Sequence, residues 1–324
     1  MKILVTGGAG YVGSELVPFL LEKGHSITVI DLFIYGNTIQ KHKNLNQCKC
    51  DIRDIENLKK IIPGHDVVIH LACISNDPSF ELNPKLGREI NLDSFDPLVK
   101  ISKGSGVKKF IYASSSSVYG IKEEKNVHEN MKLEPLTDYS KFKAECEEIL
   151  NSYASDDFFA LTIRPATVCG YSTRQRLDLV VNILTNLAYH KGEITVFGGN
   201  QLRPNIHIKD MVRVYDKLIN LDDIKFNKEI FNAGYENKTV NELAETVRNV
   251  IGSNVKIKKV PTDDNRSYHI SSEKILKLIG FKTNFTIFDA VKELKYAFDN
   301  KLLINTMNDI NYFNIKKMQS IELK

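Results

Sequence analysis

The chain has 324 residues, of which 42% are hydrophobic and 26% charged, and a formal net charge of +4. This balance is typical of a soluble globular protein with a full core, and the absence of a basic block argues against a nucleic-acid partner. The apolar runs fall short of the roughly 18 residues of a membrane helix. With no signal peptide at the start, we expect a cytoplasmic protein. Five cysteines in no metal-ligand spacing predict reduced thiols and no metal site.

The first half of the chain alternates predicted strands with predicted helices. The strands are Lys2–Thr6, His25–Asp31, Asp66–Ala72, Lys109–Ala113 and Phe158–Arg164, and the helices are Gly13–Glu22, Ile55–Ile62, Gly87–Lys103 and Tyr139–Ser155. Repeated strand–helix–strand units of this kind predict an α/β fold with a doubly wound parallel sheet.

The alternation changes after Pro165. We predict a helix over Asp178–His190, a strand over Ile194–Phe197, a helix and strand within 206–234, and two helices and a strand (Val255–Val260) within 239–300. We therefore expect a larger domain of residues 1–170, with 206–234 returning to it. Residues 171–205 and 235–300 would form a smaller α/β domain. Weak periodicity from Lys301 predicts a partly disordered tail, 301–324.

A glycine-rich turn follows the first predicted strand and opens the first helix. Gly7, Gly10 and Gly13 are spaced as a turn that lets a pyrophosphate approach the backbone at the helix N-terminus. An acidic residue, Asp31, ends the next strand, which completes the pattern of a dinucleotide site. A carboxylate there accepts hydrogen bonds from ribose hydroxyls but repels a 2′-phosphate, and Leu32 and the residues after it supply no cation. The sequence therefore predicts NAD rather than NADP.

A tyrosine and a lysine stand one helical turn apart in the segment Tyr139–Lys143. The lysine charge would lower the pKa of the Tyr139 phenol, which could then take a proton from a hydroxyl group. Four serines, Ser114 to Ser117, follow the strand Lys109–Ala113. Because ligands bind at the carboxyl ends of such strands, we expect a serine hydroxyl to face the substrate.

Together these motifs resemble the extended short-chain dehydrogenase/reductase family that acts on nucleotide sugars. The segments that carry the resemblance are Thr6–Gly13, Asp31, Asp51–Asp54, His70–Ala72, Ser114–Gly120, Tyr139–Lys143, Arg164-Pro165 and Arg203–Asp210. They cover about residues 1–298. The resemblance implies a Rossmann fold, NAD as cofactor and a homodimer that pairs helices near 91–103 and 139–153.

The resemblance also implies roles for individual residues. Tyr139 would be the base, Lys143 its partner and a ligand of the nicotinamide ribose, and Ser115 the catalytic serine. The cofactor would contact Gly7, Gly10, Tyr11, Val12, Gly13, Asp31, Asp51, Ile52, Leu71, Ala72, Asn91, Ala113, Tyr139, Lys143 and Pro165. The substrate would contact Ser116 and Thr167, with Asn182 at the phosphates, Phe197 at the base, and Arg203 and Arg266 at the ribose or diphosphate.

Two departures from the family pattern narrow the reaction. The 4,6-dehydratases carry an Asp-Glu pair after the catalytic residue, where this chain has Ser116-Ser117, so dehydration is not expected. Many epimerases carry Asn where this chain has Thr167, which puts the usual UDP-hexose contacts in doubt.

The segments Ala72–Ser79 and Arg266–Ser272 are similar to a narrower subgroup, the C4 dehydrogenases of GDP-manno-heptose in capsular polysaccharide biosynthesis. Ser75 and Asn76 would then either reach the sugar hydroxyls or cap a helix that starts near Pro78.

We therefore expect NAD-dependent oxidation of the C4 hydroxyl of a nucleotide-linked sugar, with a GDP-sugar favoured and a UDP-sugar the alternative. Release of the ketone makes a dehydrogenase, whereas re-reduction in place makes a 4-epimerase. A catalytically silent cofactor-binding scaffold is the remaining alternative, and the complete set of Ser115, Tyr139 and Lys143 argues against it.

Overall fold

The computed structural model describes residues 1–221, 224–262, 267–321 and 323. The strands are β1 (Lys2–Thr6), β2 (Ser26–Asp31), β3 (Leu45–Lys49), β4 (Val67–His70), β5 (Lys109–Ala113), β6 (Phe159–Pro165), β7 (Thr167–Cys169), β8 (Glu193–Phe197), β9 (Leu202–His207), β10 (Ile230–Ala233), β11 (Glu236–Thr239) and β12 (Lys256–Val260). The helices are α1 (Gly13–Glu22), α2 (Ile55–Ile61), α3 (Asp77–Phe80), α4 (Pro84–Arg88), α5 (Phe95–Gly104), α6 (Asp138–Tyr153), α7 (Val180–Lys191), α8 (Ile208–Ile219), α9 (Val240–Ile251), α10 (Glu273–Ile279), α11 (Ile287–Asp299) and α12 (Asn314–Ile321).

Seven strands form one parallel sheet in the order β3-β2-β1-β4-β5-β6-β10. The predicted doubly wound α/β fold is confirmed. From β1 the chain adds β2 and β3 on one side, and β4, β5, β6 and β10 then follow on the other side. The carboxyl ends of β1 and β4 therefore flank the crevice in which such sheets bind ligands. The edge strand β3 was not predicted, because Leu45–Lys49 mixes polar and apolar residues and is partly exposed.

Both faces of the sheet are covered, as the apolar character of its central strands requires. Along β1, Ile3 and Val5 join a cluster that includes side chains of α1 and α8. Leu4, which points the opposite way, joins a second cluster with side chains of α2, α5 and α6. The alternation of side chains along one strand therefore places helices on both sides and fixes the strand ends as the open edge.

The remaining five strands form two smaller sheets. One has the order β11-β9-β7 and the other pairs β12 with β8. Helices α7, α9 and α11 surround a third apolar cluster with side chains of β8. Four elements were missed in this part: the strands β7, β9 and β11, and α10, which is a third helix where two were predicted within 239–300.

The predicted helix Gly87–Lys103 is interrupted. It consists of α4, a π-helical turn at Glu89–Asp93, and α5. A π turn accommodates an extra residue in a helix, and such turns often lie at functional sites. Here the turn carries Asn91, whose side-chain amide bonds to both backbone groups of Ile74 at 2.8 and 2.9 Å.

The prediction of a partly disordered tail is wrong for residues 301–321. Helix α12 forms there, and Met318 is buried in the same cluster as Leu4. The apolar residues of the tail find their partners on distant segments, so local periodicity gave no signal. Within the described segments, no helix is long and apolar enough to cross a membrane.

Candidate active site

A cavity of about 580 Å³ opens at the carboxyl ends of the central strands. This volume is typical of a site for a small molecule or cofactor. Nineteen of the predicted site residues line it, namely Gly7, Gly10, Tyr11, Val12, Gly13, Asp31, Asp51, Ile52, Leu71, Ala72, Ser75, Asn76, Ala113, Ser115, Ser116, Tyr139, Lys143, Pro165 and Thr167. Arg203 is the twentieth predicted site residue on the cavity wall. The residues of the separate motifs thus share one space.

The glycine turn is packed so tightly that side chains are excluded. A Cβ on Gly7 would lie 2.6 Å from the backbone N of Ala72, and φ at Gly7 is +69°. A Cβ on Gly13 would lie 2.4 Å from the carbonyl O of Gly8. The chain therefore turns directly from β1 into α1 and presents the N-terminus of α1 to the cavity. Such an N-terminus offers free amide donors and a positive dipole end to a phosphate.

Asp31 ends β2 beside this turn. One of its oxygens accepts the Ala9 amide at 2.9 Å and the other accepts the Phe33 amide at 2.7 Å. Burial raises the pKa of its carboxyl above the ordinary value, while these two amides act in the opposite direction. Each oxygen keeps a lone pair for a further donor, which suits the hydroxyls of a ribose.

Tyr139 and Lys143 lie on the same face of α6, which begins at a capping box formed by Thr137 and Ser140. The Lys143 ammonium lies 5.8 Å from the centre of the Tyr139 ring and donates to the carbonyl of Ala113 at 2.6 Å. The β5 carbonyl thereby fixes the lysine at the carboxyl end of the strand, next to the phenol.

The pKa of Tyr139 is raised above its ordinary value, and burial is the largest cause. The groups that act in the opposite direction are the guanidinium of Arg176 and the backbone amide of Asn76. The prediction that Lys143 lowers this pKa is therefore not realised in this arrangement. Desolvation outweighs the nearby charges, and the stabilising cation beside the phenol comes from a distant segment.

Ser115 follows β5 in an extended conformation. Its hydroxyl lies 2.8 Å from that of Ser117 and accepts the Ser117 amide at 3.1 Å. Ser114 points the other way and donates to the buried Glu147, which pairs with Arg164. All four serines line the cavity, but the hydroxyl of Ser114 is taken up by Glu147, so Ser115 is the better candidate to orient a substrate.

The model of the NAD dependent epimerase/dehydratase family matches residues 3–234. The chain belongs to this family. It is 27% identical over 320 residues to a UDP-glucose 4-epimerase of Corynebacterium glutamicum, covering 93% of this chain and 97% of that protein.

Two solved structures show the same fold. A UDP-glucose 4-epimerase of Thermotoga maritima, solved with UDP-glucose, has a TM-score of 0.84 and 26% identity, and covers 94% of this chain and 100% of the other. The dTDP-glucose 4,6-dehydratase DesIV of Streptomyces venezuelae, solved with NAD, has a TM-score of 0.83 and 21% identity, and covers 93% and 98%.

This member of the family is thus an NAD-dependent enzyme of nucleotide-sugar chemistry. Its cavity fits NAD: the glycine turn leaves room for a pyrophosphate and Asp31 suits the adenosine ribose. Asp51 and Ile52 line the region next to Asp31. The carboxyl of Asp51 is paired with Arg53, which outweighs partial burial and keeps its pKa below the ordinary value.

Asn76, in the loop after β4, was predicted either to reach the sugar hydroxyls or to cap a helix. Its side chain accepts the amide of Ser79 at 2.9 Å and so caps α3, with φ at +75°. The capping role is therefore present, and because Asn76 also lines the cavity, its contact with a sugar hydroxyl stays a prediction. Ser75 is held from two sides, since Arg176 and Asn314 both donate to its hydroxyl, at 3.0 and 3.1 Å.

Three predicted contact residues do not line the cavity, which is a correction to the expected roles. Asn91 supports Ile74 from behind, as described above. Asn182 is fully buried, and its amide bonds to Tyr11, Gly170 and Arg176. Phe197 is 57% exposed at the end of β8. Arg266 lies outside the described residues.

Sequence reasoning missed a wall of the cavity built from residues 172–178 with Ser75 and Asn314, here called the arginine wall. Arg174 stacks on the ring of Tyr35 at 3.9 Å and donates to Asn314 at 2.7 Å. Arg176 donates to Asp178 at 2.7 Å. The signal available in the sequence was two arginines, spaced by one residue, just before a helix.

The arginine wall also changes the argument for NAD. The residues after Asp31 carry no cation, but the structure brings Arg174 near it from 143 positions along the chain. A nearby cation is therefore present, and repulsion of a 2′-phosphate by the Asp31 carboxylate is the remaining reason to expect NAD rather than NADP.

Proposed function

We propose that the enzyme oxidises the C4 hydroxyl of a nucleotide-linked sugar, with GDP-manno-heptose as substrate, and releases the 4-keto sugar as a dehydrogenase of capsular polysaccharide sugar biosynthesis. The observation that supports the oxidation is the convergence of Ser115, Tyr139 and Lys143 on one cavity together with Ala113 and Pro165. NAD supplies the hydride acceptor when bound.

Each of the cavity side chains has its own role in the proposed oxidation. Tyr139 accepts the proton from the C4 oxygen while the C4 hydride departs with its electron pair, so the alcohol becomes a ketone. Arg176 and the Asn76 amide favour the phenolate that this step requires. Ser115 orients the sugar oxygen, and Lys143 holds the ribose of the cofactor from its fixed position on the β5 carbonyl.

The substrate assignment rests on the loop after β4 and on the serines after β5. The loop has the sequence similar to that of GDP-manno-heptose C4 dehydrogenases, and its Ser75 and Asn76 reach the cavity. Ser116 and Ser117 occupy the positions of the acid pair that eliminates water in dehydratases, and neither can act as an acid. Oxidation without dehydration is the reaction these residues support.

A second candidate is a 4-epimerase of a UDP-sugar, in which the ketone is re-reduced on its other face. The observation that favours it is the similarity over 93% of the chain to a UDP-glucose 4-epimerase. Thr167, on the cavity wall where many epimerases have Asn, is the feature against it.

Product analysis separates these candidates. The enzyme is incubated with NAD and either GDP-manno-heptose or UDP-glucose, and the sugars are examined by mass spectrometry and NMR. A GDP-sugar that loses two hydrogens while NADH forms supports the dehydrogenase. UDP-glucose converted to an isomer of unchanged mass, with the GDP-sugar left intact, would overturn it in favour of the epimerase. The Tyr139→Phe variant serves as the catalytic control in both reactions.

We also propose that two copies pair through α5 and α6. These helices pack against each other on one side of the large sheet, since Leu98 and Leu150 share its apolar cluster. Sedimentation velocity at micromolar concentration tests the proposal: a single species of twice the chain mass is expected, and a monomer would contradict it.

A further inference from the structure

Two arginines on the arginine wall are almost completely buried. Arg174 is 4% exposed and Arg176 is 8% exposed, and both line the cavity. They stand in the segment between β7 and α7, where the backbone is anchored to the first turn of α1. The amide of Arg174 donates to the Ser14 hydroxyl at 3.3 Å, and the amide of Thr173 donates to Glu15 at 3.1 Å.

Among the residues that the structure describes, each of these guanidinium groups keeps one nitrogen without a hydrogen-bond partner. In Arg174 the Nη2 donates to Asn314 while Nε has none, and in Arg176 the Nε and Nη1 are used while Nη2 has none. A buried charged donor left unpaired costs free energy, so such a group calls for a partner from outside the chain, which is an ordered water molecule or a bound anion.

The charge of the pair is only partly neutralised. Asp178 forms an ion pair with Arg176 at 2.7 Å. Within the part of the chain that the structure describes, Arg174 has no carboxylate in salt-bridge contact, and its partners are the Asn314 amide and the Tyr35 ring. Burial, followed by the neighbouring charge of Arg176, lowers the pKa of Arg174 to about 10. An anion beside the pair would relieve both effects.

The position of the pair identifies the class of anion. Arg174 lies on Tyr35, four residues after Asp31, and Arg176 reaches Ser75 beyond β4. The N-terminus of α1 borders the same cavity. A ligand that touches the pair therefore lies between the phosphate-binding turn and Tyr139. Both NAD and a nucleotide-linked sugar would place their phosphates in this part of the cavity.

We propose that Arg174 and Arg176 form a diphosphate-binding pair that grips the nucleotide from the arginine wall, in addition to the amides of the glycine turn. The planar forks of two arginines match the oxygens of a diphosphate, and a charge-assisted bond is among the stronger hydrogen bonds in proteins. The diphosphate belongs either to NAD or to the nucleotide sugar. This proposal rests on those two ligands and not on the identity of the sugar.

Binding measurements without turnover test the pair. Calorimetric titrations use inorganic pyrophosphate, NAD and GDP as separate probes, with the wild type, Arg174→Gln, Arg176→Gln and Arg248→Gln. Arg248 pairs with Glu245 on α9 and is the matched control. We expect the affinity for pyrophosphate to fall about 10- to 100-fold in each cavity variant and to stay unchanged in the control.

The NAD and GDP arms distinguish the source of the diphosphate. Loss confined to NAD assigns the pair to the cofactor, and loss confined to GDP assigns it to the sugar nucleotide. Unchanged affinity for all three probes in both folded variants would overturn the proposal. Circular dichroism and the unfolding temperature without ligand check folding, and Arg174→Lys and Arg176→Lys replace any glutamine variant that does not fold. Failure to oxidise a GDP-sugar would leave these results unaffected.

Discussion

The cavity has two walls of different construction. The glycine wall (residues 7–13 with Asp31) is made mostly of backbone, and it exists because Gly7 and Gly13 lack side chains that would collide with Ala72 and Gly8. The arginine wall is made of side chains from three segments: Arg174 and Arg176 come from one of them, and Asn314, Ser75 and Asp178 hold the two arginines in place. A wall made of backbone is specified by local spacing, whereas one made of side chains is specified by the packing of distant segments.

Removing the phenol that lies between the two walls should have the largest effect. Tyr139→Phe should lower kcat about 10²- to 10⁴-fold, because the proton of the C4 hydroxyl then has no acceptor. The affinity for NAD should stay the same. Initial rates and cofactor titration measure the two quantities. Tyr153→Phe at the other end of α6, where the hydroxyl donates to the exposed Asp96, is the matched control. A rate loss equal in both variants would contradict the role of Tyr139.

The Asp31→Ser variant removes the one charged side chain of the glycine wall. We expect the affinity for NAD to fall about 10- to 100-fold, since charge-assisted hydrogen bonds to the ribose are lost. The preference for NAD over NADP should shrink at the same time, because Arg174 remains nearby to attract a 2′-phosphate. Fluorescence titration with both cofactors measures this. The exposed Asp156→Ser is the control, and an undiminished preference for NAD in Asp31→Ser would show that another group excludes NADP.

Gly13→Ala tests whether the glycine wall depends on the missing Cβ. The new methyl group would overlap the Gly8 carbonyl, so the free energy of unfolding should fall by about 1–3 kcal/mol. Urea titration followed by circular dichroism measures the change. Gly104→Ala is the control, because its new methyl group would extend into open space. Equal stability of the two variants would mean that the turn relaxes without cost.

The pH dependence of the reaction tests how the arginine wall affects the pKa of Tyr139. Burial raises the pKa of Tyr139, so the phenol is protonated at neutral pH and kcat/KM should increase as pH rises. Arg176 lowers that pKa, and Arg176→Gln should move the profile to higher pH by up to about one unit. Rates with buffers from pH 6 to 10 give both profiles. A shift to lower pH would show that Arg176 does not favour the phenolate.

Asn314→Ala should have the smallest effect, because it removes hydrogen bonds of an uncharged side chain and leaves the ion pair of the arginine wall in place. The loss of its bonds to Arg174 and Ser75 should lower the free energy of unfolding by about 0.5–1.5 kcal/mol. Thermal and urea unfolding measure it, with the exposed Asn308→Ala in the same tail as control. No difference between the two variants would mean that the tail does not brace this wall.

Most of the catalytic side of the site was predictable, because its residues follow strand ends in short motifs. Tyr139 and Lys143 share a helix, and Ser115 follows β5, so local spacing placed all three on the cavity. Asn182 and Phe197 were assigned roles by the family resemblance and not by local spacing, and neither lines the cavity. Their positions depend on how α7 and β8 pack, and a motif match says nothing about whether a side chain faces inward or outward.

The sequence by itself determined the doubly wound sheet, the glycine turn and the acid at the end of β2. Each of these follows from residue type and spacing within about thirty positions, since backbone sterics and strand–helix order act locally. Only the tertiary structure decided that Arg174 and Asn314, 140 residues apart, meet at the cavity. It also decided that burial raises the pKa of Tyr139 despite a lysine one turn away. Desolvation and side-chain pairing depend on what surrounds a group in space, and one stretch of sequence does not contain that information.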